Sequence, residues 1–187
     1  HEFIYFRGNT GEIKIRKFAE KNYRYEIINE NGFDKKKTKE IGELMNIKEI
    51  KKGKFKEFCI IILIKDSMGR YVHYSIIYPN AINSPLSQTP LDKSKFNSSD
   101  CYFSTTMTLE REKGGVLNLL ALQKIIEYCE KRDLSIVNLI HPSTKGAFKY
   151  YKTIGFTEIK NTNKINIYSK SKLNLIRKIK QFTNENL

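Results

Sequence analysis

The clearest pattern in the chain is a pair of apolar, β-branched runs that flank a turn. Residues 59–64 are six consecutive apolar residues, and residues 71–78 are rich in tyrosine, valine and isoleucine. Between them, the sequence Asp-Ser-Met-Gly at 66–69 is typical of a tight turn, with glycine at its end. The two runs therefore predict a β-hairpin.

Apolar residues at helical spacing predict one surface helix and one buried helix. In residues 33–50 the apolar positions share one face, and Asp34 is suited to cap the first turn. The side chains of this face are Ile41, Leu44, Met45 and Ile47. Residues 116–133 are apolar over too broad a face for a surface helix, so a buried helix is expected there.

Several further segments predict strands. Residues 101–110 are rich in β-branched and aromatic side chains, and residues 134–140 are apolar without alternation, as in a strand covered on both faces. Residues 12–17 and 164–170 predict two shorter strands. Residues 22–29 fit a strand or a helix equally well.

The remaining segments predict loops and short helices. Residues 80–100 contain two of the four prolines with many serines and asparagines, which predicts a long loop. A short helix should follow Pro142, and residues 170–187 predict a basic amphipathic helix that docks on its own domain. Part of residues 1–10 is a candidate remnant of a cloning tag or a flexible end. This order of elements predicts an α/β architecture, a mixed and largely antiparallel sheet with helices.

Composition fits one globular domain over residues 1–187. The chain is 40% hydrophobic and 12% aromatic, and no apolar run approaches the roughly 20 residues that span a bilayer. The start of the chain lacks the pattern of a signal peptide. Cys59, Cys101 and Cys129 are far apart and in no CxxC pair, which argues against a disulfide framework or a metal site. We therefore expect buried, free cysteines in a cytoplasmic protein.

Charge narrows the class of partner only slightly. The net charge is +14, with 34 Lys and Arg against 20 Asp and Glu, which suits nucleic acid, a membrane surface or a phosphate-rich cofactor. The lysines are spread along the chain rather than clustered. Binding of nucleic acid is therefore an alternative that the charge does not favour.

The junction between the predicted strand 101–110 and the helix 116–133 has the features of an anion site. A helix start leaves about four backbone N–H groups unpaired and carries partial positive charge. Gly114 and Gly115 permit close approach of the backbone, and Arg111 and Lys113 add two cations for a diphosphate. Neither the P-loop motif nor the GxGxxG fingerprint is present in the sequence.

Taken with a second motif, this junction resembles the GNAT superfamily of acyl-CoA-dependent N-acetyltransferases. The family's pyrophosphate loop, [RQ]xxGx[GA], is matched by Arg111-Glu112-Lys113-Gly114-Gly115-Val116, with Val116 where a small residue is usual. The family's later motif, NxxAxxxYxxxGF, is matched from Thr144, which stands at the Asn position, through Ala147 and Tyr151 to Gly155-Phe156. The resemblance covers roughly residues 55–170.

The resemblance implies a GNAT-like single domain whose strands 101–110 and 134–140 splay apart around acetyl-CoA or another acyl-CoA. The backbone of residues 111–116 would then hold the pyrophosphate, and that of Met107, Thr108 and Leu109 the thioester carbonyl. The CoA arm would lie along Thr144, Ala147 and Phe148. By motif position Tyr151 is the proton donor to the departing CoA thiolate, which suits a group of pKa near 10. Tyr150 is expected to pack.

The base that deprotonates the attacking amine is less well indicated. The family often uses a Glu or His on the strand before the phosphate loop, and residues 101–109 contain neither. His141 is the candidate because it follows the second splayed strand and has a suitable unperturbed pKa. The alternative role for His141 is that of a turn histidine before Pro142, and the alternative bases are Glu110 and a water relay. His73 in the hairpin is expected to be structural.

The resemblance therefore implies an N-acyltransferase that moves an acyl group, most simply acetyl, from acyl-CoA to an unidentified primary amine by direct attack. Two other functions stay open. One is a GNAT-like protein that binds nucleic acid or modifies its bases, and the other is a catalytically silent acyl-CoA-binding domain. The sequence does not specify the acceptor or the oligomeric state.

Overall fold

A computed structural model describes most of the chain between residues 4 and 158. The segments are 4–8, 10, 23–51, 59–88, 94, 96–109, 116–140 and 145–158. The predicted strands at 12–17 and 164–170 and the predicted helix at 170–187 lie outside these residues. Within them, no helix is long and apolar enough to cross a membrane.

Seven strands form one mixed sheet, flanked by helices, so the predicted α/β class is confirmed. The strands are β1 (Ile4–Gly8), β2 (Arg24–Ile28), β3 (Ile60–Lys65), β4 (Tyr71–Tyr78), β5 (Asp100–Thr108), β6 (Ser135–Ile140) and β7 (Thr157–Glu158). The helices are α1 (Lys35–Leu44), α2 (Lys48–Lys51), α3 (Val116–Lys131) and α4 (Lys145–Thr153), with a 3-10 turn at Pro85–Gln88. The order in the sheet is β2-β3-β4-β5-β6-β1-β7, and only β5 and β6 pair in parallel.

The predicted hairpin is the antiparallel pair β3–β4. Its turn is held by Asp66, whose Oδ1 accepts hydrogen bonds from the backbone N–H groups of Met68 at 3.0 Å and Arg70 at 2.9 Å. Gly69 has φ of +79°, a conformation that a residue with a Cβ rarely adopts. The turn chemistry read from the sequence thus matches the observed hairpin.

The centre of the sheet is buried on both faces, since β3 is apolar on both. Ile60, Ile62 and Ile64 pack in a core with α3 and the end of α4, whereas Ile61 and Leu63 pack on the opposite face with α1 and α2. Alternation along a strand explains the division, since successive side chains point to opposite faces. The α3/α4 face and the α1/α2 face are the two sides referred to below.

The helix predicted over 33–50 is two helices. Asp34 caps α1 as predicted, with its side chain accepting from the backbone N–H of Lys37 at 3.0 Å. The chain then turns at Asn46, whose φ is +53°, and continues as α2. This break returns Ile47 to the core and leaves Leu44 67% exposed at the end of α1. The prediction that Leu44 shares one helical face with Ile41 and Ile47 is therefore wrong.

Two segments of the sheet were not assigned from the sequence. Residues 22–29, which fitted two structures equally, contain the strand β2. Residues 4–8, discussed above as part of a tag remnant, form β1 between β6 and β7. Arg7 on β1 makes a bidentate ion pair with Asp100, with Nε–Oδ1 at 3.1 Å and Nη2–Oδ2 at 2.5 Å. This pair joins β1 to the start of β5 across the intervening β6.

The three cysteines are free and buried, as the sequence predicts. Cys101 and Cys129 belong to the core on the α3/α4 face, and Cys59 to the core on the other face. Burial raises the pKa of Cys59 to about 12, so this thiol stays protonated at neutral pH. All three act as small apolar side chains.

Candidate active site

The parallel strands β5 and β6 pair only over their first half. The ladder runs from Asp100↔Ser135 to Phe103↔Asn138. Beyond that point β5 continues to Thr108 and β6 to Ile140, but the two are no longer paired. The strands therefore part where the sequence predicts the splayed acyl-CoA site, and beyond Phe103 no strand among the described residues pairs with that side of β5.

Which backbone N–H groups face the gap follows from pairing with β4. The N–H of Leu109 donates to the carbonyl of Val72 at 3.0 Å, so this group is already used. Because successive residues of a strand direct their N–H groups to opposite sides, those of Thr106 and Thr108 point away from β4 toward the gap. Of Met107, Thr108 and Leu109, only Thr108 is thus oriented to bind a ligand there.

Tyr151 lies on α4 directly beside the end of the β5–β6 ladder. Its side chain is 8% exposed, and its ring packs edge-on against Phe103, Tyr150 and Phe156 at centroid distances of 6.3, 5.0 and 5.3 Å. Gly155, at φ of +110°, ends the helix and lets Phe156 fold back onto Tyr151. The motif residues Tyr151, Gly155 and Phe156 therefore form one packed unit.

Two opposing effects act on the Tyr151 hydroxyl. Burial raises the pKa of Tyr151 to about 12, and the nearby Asn138 amide lowers it. Tyr151 is thus protonated at neutral pH. A neighbouring amide that favours the phenolate would help this hydroxyl to give up its proton.

Asn138 is a buried polar residue within an otherwise apolar strand. It is 2% exposed, and neither Nδ2 nor Oδ1 meets hydrogen-bond geometry with any described residue. A buried amide left unsatisfied costs about 1–3 kcal/mol. Asn138 forms the last pair with Phe103, so this unused donor and acceptor lie where the strands part.

A polar network ties the end of β5 to the start of α3. His73 on β4 is fully buried; its Nδ1 contacts Thr108 Oγ1 at 2.7 Å, and its Nε2 contacts Ser75 Oγ at 2.9 Å and Thr106 Oγ1 at 3.2 Å. Thr106 Oγ1 also donates to Asn118 Oδ1 on α3 at 3.0 Å. Burial lowers the pKa of His73 to about 4, so the imidazole is neutral at pH 7. The network holds both ends of the predicted phosphate loop in place.

Glu49 is a polar residue that was not among the site residues predicted from the sequence. It lies on α2 and is half-buried on the α1/α2 face. Its Oε1 accepts from Ser104 Oγ at 3.0 Å and from Thr105 Oγ1, and its Oε2 accepts from Tyr78 OH at 3.1 Å. Nothing local marks Glu49, because these partners are far away in the sequence.

A β-bulge at Ser104 allows two neighbouring hydroxyls to reach one carboxylate. Ile76 pairs with Thr105 and Ile77 with Phe103, so Ser104 is an extra residue in β5. In regular pairing, Ser104 and Thr105 would point to opposite faces of the sheet. The bulge occurs at the first residue of β5 beyond the ladder with β6, so it belongs to the same parting of strands.

Several predicted site residues lie outside the described part of the chain. These are Arg111, Glu112, Lys113, Gly114, Gly115, His141 and Thr144, together with the side chains of Ala147 and Phe148. Val116 is the first residue of α3, and β5 ends at Thr108, so the predicted phosphate loop does join a strand to a helix N-terminus. Among the described residues, no group of three His, Cys, Asp or Glu side chains could hold a metal ion.

Comparison with known proteins identifies the fold but no close relative. No protein-family model and no curated protein sequence matches the chain. Among solved structures, a tandem GNAT protein from the clavulanic acid biosynthesis pathway matches with a TM-score of 0.53 and 9% identity, over 82% of this chain and 49% of that one. The GCN5-related glucosamine N-acetyltransferase region of a fungal multidomain GH3 β-N-acetylglucosaminidase matches with a TM-score of 0.51 and 9% identity, over 84% and 20%.

These likenesses concern the fold alone, because the identities are so low. The chain spans about half of the first protein and a fifth of the second. Both neighbours are GNAT proteins, which agrees with the resemblance found in the motifs around Arg111 and Tyr151. The chain therefore has the GNAT fold.

Proposed function

Since the chain has the GNAT fold, we propose that it is an N-acyltransferase that moves an acyl group, in the simplest case acetyl, from acyl-CoA to a primary amine. The observation that carries the proposal is the gap between β5 and β6. Its border includes the N–H groups of Thr106 and Thr108, the buried hydroxyl of Tyr151 and the unsatisfied amide of Asn138. A slot lined by backbone N–H donors and an acid is suited to bind and activate a thioester.

Each of these groups has a defined part in the proposed reaction. Acyl-CoA supplies an activated carbonyl carbon and a sulfur leaving group. The N–H of Thr108 would bind the carbonyl oxygen, together with the N–H of Thr106, which lies two residues earlier on the same side of β5. These groups would stabilise the negative charge that develops on the oxygen. Tyr151 would hold the proton that the departing sulfur takes up. The Asn138 amide would then donate to the phenolate that remains.

The ends of the phosphate loop are held so that it could bind a diphosphate. Arg111, Lys113 and the backbone of residues 111–116 are proposed to hold the pyrophosphate of CoA, with Thr144, Ala147 and Phe148 along its arm. The His73 network fixes the strand end before this loop relative to the helix after it. His141 stays the predicted base, and a cytoplasmic location stays a prediction.

The proposal is tested by thiol release. The chain is incubated with acetyl-CoA and a set of primary amines, namely n-butylamine, spermidine, glucosamine and a lysine-containing peptide. We expect free CoA to appear with at least one amine, together with its N-acetyl product by mass spectrometry. Saturable acetyl-CoA binding without release for any amine would instead indicate a silent acyl-CoA-binding domain. If the chain binds DNA or RNA with a steep salt dependence but no acyl-CoA, the nucleic-acid alternative is favoured.

A further inference from the structure

Glu49 is held at a fixed place on the α1/α2 face. Its neighbours Ile47 and Ile50 are 1% and 8% exposed and anchor α2 in the core on that face. The carboxylate between them is half-buried and reaches the bulge of β5. The position of Glu49 is thus determined by packing on both sides of it in the sequence.

Among the described residues, the carboxylate has three neutral donors and no cationic partner. Ser104, Thr105 and Tyr78 donate hydroxyl groups to it. None of the salt bridges within the described residues involves Glu49, although α2 also carries Lys48 and Lys51. A carboxylate has about four acceptor sites, so these three donors leave room for another.

The negative charge of Glu49 affects the groups that face it. Burial is the larger cause that raises the pKa of Tyr74, Tyr78 and Cys59. The charge of Glu49 is the second cause and raises the pKa of all three further. The titratable side chains that face Glu49 from the sheet are thus neutral at pH 7. A partly exposed anion among neutral groups is a favourable place for a cation to bind.

The site lies across the sheet from Tyr151. Ser104 directly follows Phe103, whose ring contacts Tyr151 on the α3/α4 face, whereas Glu49 contacts Ser104 from the α1/α2 face. A nucleophile must approach a carbonyl carbon from a direction different from that of its leaving group. If Tyr151 serves the leaving sulfur, the amine would approach from the side on which Glu49 lies.

We propose that Glu49 is the acceptor-binding residue: its carboxylate binds the ammonium group of a cationic primary amine and takes one proton from it. The inference rests on the proposed acyl transfer, in which Glu49 takes the place of His141 as the base. The nitrogen lone pair freed in this way forms the C–N bond, the C–S bond breaks, and the sulfur takes the proton of Tyr151. The nitrogen gives up a second proton as the amide forms, which restores Tyr151, and Glu49 returns its own proton to solvent.

The binding step is tested without turnover, so that its outcome does not depend on finding the natural acceptor. n-Butylammonium chloride is titrated into the chain, with and without CoA, and followed by NMR. We expect saturable binding to the wild type and binding at least about 10-fold weaker to Glu49→Gln, since a charge-assisted contact is lost. n-Butanol, which has no charge, should bind equally weakly to both. Glu40→Gln removes an exposed carboxylate from α1 and is the matched control, expected to bind as the wild type does.

Kinetics test the proton step. With an amine that is turned over, Glu49→Gln should lower kcat/KM for the amine about 100-fold or more, the range for loss of a general base, and leave the Kd of acetyl-CoA within about twofold. The deficit should shrink as the pH rises and free amine becomes abundant. His141→Gln should keep the wild-type affinity for n-butylammonium. Ser104→Ala removes one of the hydroxyl groups that hold the Glu49 carboxylate in place, so it should weaken n-butylammonium binding several-fold. It serves as the second variant if Glu49→Gln does not fold.

Two results would overturn the assignment of Glu49. One is equal n-butylammonium binding by the wild type, Glu49→Gln and Ser104→Ala, or none by the wild type. The other is a Glu49→Gln chain that still folds but loses thermal stability and acetyl-CoA affinity together, which would make Glu49 only a structural link between α2 and β5. By contrast, a chain that binds n-butylammonium through Glu49 but no acyl-CoA would contradict the proposed acyl transfer and keep the cation site.

Discussion

Lowering the pH from 7 to 5 is expected to destabilise the fold through one buried side chain, His73. The imidazole is fully buried, and burial lowers its pKa from 6.5 to about 4 in the folded chain. In the unfolded chain it is exposed and regains its ordinary pKa. Between pH 6.5 and 4, therefore, the unfolded state binds a proton that the folded state does not, and stability falls as the pH falls.

The size of the effect follows from the two pKa values. One pKa unit corresponds to about 1.4 kcal/mol, so the full loss, reached below pH 4, is about 3 kcal/mol. At pH 5 the folded imidazole is still neutral and the unfolded one almost fully charged, which gives about 2 kcal/mol of that loss. Most carboxylates begin to titrate only below pH 5. Between pH 7 and 5 the change in the free energy of unfolding therefore reports mainly on histidine.

Urea denaturation at pH 7, 6 and 5 measures this loss as the free energy of unfolding. His73→Gln is the matched variant, because the amide can still contact Thr108 and Ser75 but has no proton to take up. We expect the wild type to lose about 2 kcal/mol between pH 7 and 5 and the variant to lose far less. A wild-type loss below about 0.5 kcal/mol, or equal losses in both chains, would refute a buried neutral His73.

Three substitutions test the packing and the chemistry of the candidate site. Tyr151→Phe should lower turnover about 100-fold or more at unchanged acetyl-CoA affinity, whereas Tyr150→Phe should keep turnover; equal rates would exclude Tyr151 as the acid. Asn138→Leu should raise the free energy of unfolding by about 1–3 kcal/mol yet slow turnover, and a destabilised variant would show that the amide is satisfied. Gly42→Ala places its Cβ against Ile50 Cβ and Cγ2 and should lower the free energy of unfolding by about 1–3 kcal/mol in urea denaturation, with a smaller loss in an Ile50→Ala background.

The elements with strong local patterns could be predicted from the sequence. The hairpin β3–β4, the strand β5, the buried helix α3 and the strand β6 all lie where apolar spacing and turn residues place them. The end of α4 could also be predicted, because glycine readily adopts the positive φ that Gly155 has after the helix. These segments carry the GNAT motifs, which is why the fold could be predicted.

The features that were missed depend on contacts between distant parts of the chain. β1 is short and takes its place through pairing with β6 and the ion pair from Arg7 to Asp100, which no local pattern encodes. Glu49 lies on a four-residue helix, and its partners Ser104 and Thr105 are 55 and 56 residues away. A bulge brings those two hydroxyls to one face, and periodicity cannot reveal a bulge.

Two further differences had a visible signal. Asn46 is a residue type that tolerates positive φ, and it lies between Leu44 and Ile47 in the sequence. A break of the helix at this position could therefore be predicted. Asn138 is a polar residue within the apolar run 134–140, and its type alone indicated either a buried partner or a ligand. The sequence could not reveal that both of its amide atoms lack a partner among the described residues.

A calorimetric titration of acetyl-CoA into the wild-type chain tests the proposed thioester slot most directly. The parted strands, the N–H groups of Thr106 and Thr108 that point away from β4, and Asn138 all belong to one proposed thioester slot. We predict saturable binding at one site, weakened in Asn138→Leu and unchanged in Tyr150→Phe. An absence of saturable binding of acetyl-CoA, and of longer acyl-CoA esters, would show that the gap between β5 and β6 is not an acyl-CoA site.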